Sequence, residues 1–177
     1  MLERLRGVLS FKTDTFNEIE HDPSALSQAL LIVVVSSILT ALGGGFGEVM
    51  FGVGIGSSSS GTSVFKFVSI AIWAIVAWLL WSVITQFIGT RFFDGEATVG
   101  EMMRVIGFAY APLAIQIFAF IPVFGGFLRL GAAAWSVGLV YVAILEGLDI
   151  GPGSAFLTAL IGGFVYLVGM GVILTIF

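Results

Sequence analysis

Read for its pattern of apolar and polar positions, the chain divides into a charged leader and five long apolar runs. From Met1 to Asp22 the charges are interrupted by Leu2, Leu5, Val8, Leu9, Phe11, Phe16 and Ile19 at loosely helical spacing. This predicts a short amphipathic helix lying on a membrane or packing beneath a bundle. Thr15 and Glu18 match a capping box for a second short helix. Asp22-Pro23 then reads as the start of a longer helix, with Asp22 as the cap and Pro23 in the first turn, where no N–H is needed.

The apolar runs predict five membrane-crossing helices, since about 20 apolar residues span a bilayer. They cover about Ala25 to Leu42, ended by Gly43, Gly44 and Gly45; about Val64 to Ile88, with Trp73, Trp78 and Trp81; about Thr98 to Ile121; about Phe127 to Leu145; and Ser154 to Phe177. Between the first two, Gly47 to Ser63 is Gly/Ser-rich, with Ser57 to Ser60 in a row, and predicts a flexible loop. The third run opens on a second capping-box match, Thr98 and Glu101, with Arg104 one turn further in. Pro112 predicts a kink within it. Pro122 to Gly126 reads as a tight turn, and Gly151-Pro152-Gly153 as a break after which Ser154 can cap. The fold class is therefore an all-α, polytopic membrane bundle of five transmembrane helices. An amphipathic leader (1–23) precedes one transmembrane domain (24–177).

Composition agrees. The chain is 58% hydrophobic and 10% charged, where a soluble domain carries about 25% charged residues. A bilayer removes the need for a charged skin, and 24 glycines suit closely packed transmembrane helices. A cleaved signal peptide near Thr40 is disfavoured, because the leader would be long and acidic. With no cysteine, disulfides and thiolate metal sites are excluded. A net charge of -4 with scattered acids makes no case for nucleic acid.

Basic residues near the spans set the orientation. An N-terminus in the cytoplasm places Arg4, Arg6, Lys12, Arg91 and Arg104 inside, and only Lys66 and Arg129 outside. Every acid except Glu48 then lies on the cytoplasmic face. Three charged patches meet there: Glu18, Glu20, His21 and Asp22; Arg91, Asp94, Glu96, Glu101 and Arg104; and Glu146 with Asp149. The candidate polar cap is Glu18, Asp22, Arg91, Glu96, Glu101, Arg104, Glu146 and Asp149. It would bind a partner protein, a lipid headgroup or a divalent cation. The plainer reading is that these charges cap helices, pair with one another and anchor the bundle.

Within the spans Gln28, Gln86, Tyr110 and Gln116 are the notable polar groups, and isolated residues of this kind usually bond a neighbouring helix. No acid or base falls mid-span, which argues against an ion pump. Catalysis has little support. His21 is the sole histidine, and the Gly-rich loops lack the lysine of a phosphate-binding loop. No cofactor is expected.

The stretches Phe16 to Pro23, Gly89 to Pro112 and Ala143 to Asp149 together resemble the prokaryotic branch of the Yip1 domain family. The most specific part is Gly107-Phe-Ala-Tyr-Ala-Pro112, similar to the family's Gly-Tyr-x-x-x-Pro element, with Gly107, Tyr110 and Pro112 as its structural residues. The resemblance implies five spans with a cytosolic N-terminus. Eukaryotic members associate with small GTPases through a long N-terminal region, and this chain has only a short leader there. The expectation is a non-enzymatic protein of the cell membrane that organises it or interacts within it. Its partners would be lipid and other membrane proteins, with a homo-oligomer compatible. The alternative is a conduit for a small solute, ion or lipid. A metal-dependent hydrolase would need three or more converging carboxylates.

Overall fold

The computed structural model describes residues 1–51 and 64–176, with side chains described for all of these except 45–51, 64–67, 69 and 169–176. Of the predicted loop Gly47 to Ser63, the first five residues are helical, as the end of the first long helix, and the rest with Ser57 to Ser60 lie outside the described residues. Among those described, every regular element is a helix: α1 (Leu2–Leu9), α2 (Thr13–His21), α3 (Ala25–Phe51), α4 (Val64–Phe92), α5 (Val99–Phe108), a 3-10 segment (Ala111–Phe118), α6 (Phe124–Gly147) and α7 (Pro152–Ile176). Windows within three of them are long and apolar enough to cross a bilayer: Ala25–Gly44, Ile70–Phe92 and Phe124–Gly147. The described part of α7 supplies a shorter apolar stretch, Pro152–Val168. Large side chains such as Phe127, Leu130, Val137 and Phe164 are exposed on their outer faces. Hydrocarbon, unlike water, accommodates that surface at no cost.

Four expectations need correcting. The glycines at 43–45 do not end the first long helix, because α3 continues to Phe51. A glycine in a tightly packed helix removes a Cβ where a neighbour comes close, and Gly43 serves that end against the backbone of Gln116 and Ile117. The third run is not one helix. It breaks after Phe108, and the chain continues as a 3-10 segment with Pro112 in its first turn. Pro112 has no N–H to give and its ring blocks the preceding turn, so the predicted kink is a full break. The Leu113 carbonyl, just past the proline, accepts the Thr40 hydroxyl at 3.1 Å, which ties the break to α3. Finally, Thr15 does not cap α2. That helix starts at Thr13 behind Lys12, whose side chain makes no capping bond, and Ser154 likewise lies inside α7.

The other capping sites hold. The Thr98 hydroxyl accepts the Glu101 N–H at 3.3 Å, and Glu101 accepts the Thr98 N–H at 2.7 Å. Asp22 accepts the Ser24 N–H at 2.9 Å and its hydroxyl at 2.7 Å, ordering the entry to α3. Removing the first of these with Thr98→Ala should lower bundle stability by about 1 kcal/mol in a detergent melt.

The short α5 is the hub. Met102, Val105, Ile106 and Phe108 are fully buried, and α5 packs against α2, α3, α4 and α6. Gly107 makes this closeness feasible, since a Cβ there would lie 2.6 Å from the Ala29 Cβ. Beside it the Trp78 indole, 2% exposed, donates to the Met103 carbonyl at 3.0 Å and pins α4 to α5. Phe16, Ile19 and Val8 join the same core, so the leader is part of the packed structure.

Candidate functional site: the charged end of the bundle

The leader, the turn between α4 and α5 and the turn between α6 and α7 meet at one end of the bundle. The last two are joined directly, the Glu96 N–H donating to the Leu148 carbonyl at 3.0 Å, and Gln86 of α4 braces the first of them by donating to the Ala97 carbonyl at 3.0 Å. Asp94 and Asp149 both adopt left-handed backbone, with φ of 54° and 52°. Aspartate tolerates this conformation better than most residues. Part of the reason for their presence is therefore structural.

The eight residues of the predicted cap do not form one cluster. Glu18 and Asp22 belong to the leader itself. Arg4, from α1, reaches Glu18 at 2.8 Å and Asp22 at 2.7 Å and clips α1 to α2. Arg4 and the hydroxyl and backbone of Ser24 hold the Asp22 carboxyl down at about 2, Ser24 contributing most. Beside this clip lies a polar pocket of about 460 Å³, lined by Glu3, Thr15 and Gln28 among others.

Glu101, Arg104 and Asp149 lie near a second centre, the carboxyl of Glu20, and Glu146 lies near Asp149. Arg104, whose side chain is 11% exposed, donates from its Nε to the Glu20 backbone carbonyl at 2.9 Å, and its Nη2 reaches the same oxygen. Glu101 stands 3.9 Å from the guanidinium, the pairing expected from their spacing. Arg91 and Glu96 are exposed and join neither centre. Among the described residues no three acids or histidines are placed to hold a metal ion.

Sequence reading passed over Glu20 as a centre although a signal was there. Phe16, Ile19 and Glu20 are the buried residues of α2. An acid at that spacing sits on the apolar stripe of an amphipathic helix. Burial first, and then the Asp149 charge, push its carboxyl up to about 7. Arg4 was missed as well, since nothing local links it to partners 14 and 18 residues away.

Deeper in the bundle, Tyr110, Leu113 and Tyr166 border two clefts of about 580 and 670 Å³, both lined almost wholly by apolar side chains. Trp81 packs edge-on against Tyr166 at 5.1 Å in the larger one.

An all-helical bundle with several membrane-length helices, an apolar exterior and charges gathered at one end defines an integral membrane protein. A model of the Yip1 domain matches residues 6–173, nearly the whole chain, and the chain belongs to that family. No curated protein and no solved structure matches it.

Proposed function

We propose that this is a non-enzymatic member of the prokaryotic Yip1 branch that crosses the cell membrane five times and organises it through its charged end. The observation that carries the reading is the assembly of that end from three segments distant in sequence, one of them the docked leader. In this topology α3, α4, α6 and α7 are four of the spans. The third is α5 continued by the 3-10 segment, which together rise about 15 Å and about 16 Å, the thickness of a bilayer core. The N-terminus and the charged end face the cytoplasm and the C-terminus lies outside, supported by the distribution of basic residues. The exposed Arg91 and Glu96 would meet a partner membrane protein, a second copy of the chain or lipid headgroups.

Impermeant maleimide should label Glu96→Cys and Gly151→Cys from the cytoplasmic side and Ser58→Cys from the other. Labelling of Ser58→Cys and Gly151→Cys from one side would rule out five spans. A photo-crosslinker at Glu96 should give discrete adducts in native membranes, lost on reversing the charge of Arg91. The two clefts meeting at Tyr110 favour a second reading, a conduit for lipid or an apolar solute. Lipid or solute movement in liposomes, with no crosslinked adduct, would establish it in place of the first.

A further inference from the structure

We infer that Glu20 is a proton-operated latch, which holds the leader on the bundle while its carboxyl is protonated and loosens it once the carboxyl ionises. The inference rests on the reading of the charged end as the working surface, and adds how that surface is regulated.

Glu20 is 3% exposed, yet its Oε2 has no hydrogen-bond partner among the described residues. From α5 it is faced by Glu101 and Arg104, and from the turn after α6 by Asp149. Glu146, at the end of α6, lies close to Asp149 and to Asp14 of α2. His21 is its neighbour on α2. On α1, Arg4 is engaged by Glu18 and Asp22. Arg104 directs its hydrogen bonds to the Glu20 backbone carbonyl, leaving the side chain without them. An ionised carboxylate in this position is desolvated, lacks a hydrogen bond to Oε2, and is repelled by Asp149 and Glu101. A neutral carboxylic acid escapes the repulsion and most of the desolvation cost.

The helix that carries Glu20 is short. α2 is nine residues long, packs on α5 and α6 with Phe16, Ile19 and Glu20 buried, and is tied to α5 by the Arg104 bonds to the Glu20 carbonyl. Freeing it would uncover the ends of α5 and α6 at the same charged end that carries Arg91 and Glu96.

The direction of the pH dependence follows. In the docked leader the carboxyl is pushed up to about 7, above the ordinary glutamate value of 4.5. Between those values a free leader ionises and a docked one does not, so docking weakens as pH rises and levels off above about 7. The ratio of docked to open leader should fall about ten-fold between pH 6 and pH 8. His21, raised chiefly by its bond to the Asn17 carbonyl and then by Glu20, contributes in the same direction and has to be separated.

Hydrogen exchange of the purified protein alone reads this ratio without any partner. After correction for intrinsic rates, protection of α2 amides should fall about ten-fold from pH 6 to pH 8, while amides in the middle of α6 stay unchanged. Glu20→Gln should abolish the fall, Asp149→Asn should reduce it, and His21→Gln should keep most of it. A flat wild-type profile overturns the latch. So does an undiminished fall in Glu20→Gln, or a fall abolished by His21→Gln. Should Glu20→Gln not fold, Asp149→Asn decides: an unreduced fall overturns the proposal. Because no partner is involved, failure of the partner reading leaves this result untouched, and the reverse holds too.

Discussion

Gly43→Ala is expected to cost about 2 kcal/mol in a detergent unfolding experiment, while Gly44→Ala, one residue on, should cost nothing or add about half a kcal/mol. The two glycines share a helix, so an alanine at either reduces the entropy lost on folding. They differ in what a Cβ would meet. At Gly43 it would overlap the carbonyl oxygen of Gln116, with the carbonyl carbon at 2.8 Å and the Ile117 Cα at 2.9 Å. All three are backbone atoms of the 3-10 segment and cannot rotate aside. At Gly44 nothing lies within 4 Å. Forcing α3 away from the 3-10 segment would also stretch the Thr40 bond to the Leu113 carbonyl, which lies on the same face of α3 one turn earlier. Overpacking of this kind costs about 1–3 kcal/mol, more when backbone must shift. Equal effects of the two substitutions would show that the 3-10 segment does not lie against α3 as described.

Arg104→Ala should destabilise the bundle by about 3 kcal/mol at pH 8 and by less at pH 6. The guanidinium bridges α5 to the backbone of Glu20 across 84 residues of sequence, and with His21 is one of two cations facing the Glu20 carboxyl among the described residues. Its removal strips a charge-assisted bond and part of that compensation, an effect on the order of 3–5 kcal/mol for buried pairs. Because Arg104 is slightly exposed and Glu20 can escape by taking a proton, the cost belongs at the lower end and shrinks as pH falls. Glu20→Gln placed on top of Arg104→Ala should therefore restore part of the lost stability at pH 8. Additive losses in that double-mutant cycle would mean that the two side chains do not sense each other.

Much of this architecture was legible in the pattern of residues. Long apolar runs can satisfy their backbone in hydrocarbon only as helices, so the helical membrane character followed from the sequence alone. The capping box at Thr98 and Glu101 and the Asp22 cap were legible too, because their partners lie within one turn. The resemblance around Gly107, Tyr110 and Pro112 pointed to the family that the match over residues 6–173 establishes.

What the sequence could not decide was how distant segments share space. Whether Gly43 stops a helix or admits a neighbour depends on the 3-10 segment, which begins 68 positions later at Ala111. Pro112 announced a distortion, but the Thr40 bond to the Leu113 carbonyl, which ties the break to α3, comes from a segment 73 residues away. The predicted acidic cap fell into two centres because Arg4 folds back on the leader while Arg104 reaches across to Glu20. Local spacing records which side chains share a helix face, and this was enough for caps and spans. The environment of a carboxyl depends on the charges and the missing water around it in three dimensions, and for Glu20 both come from elsewhere in the chain.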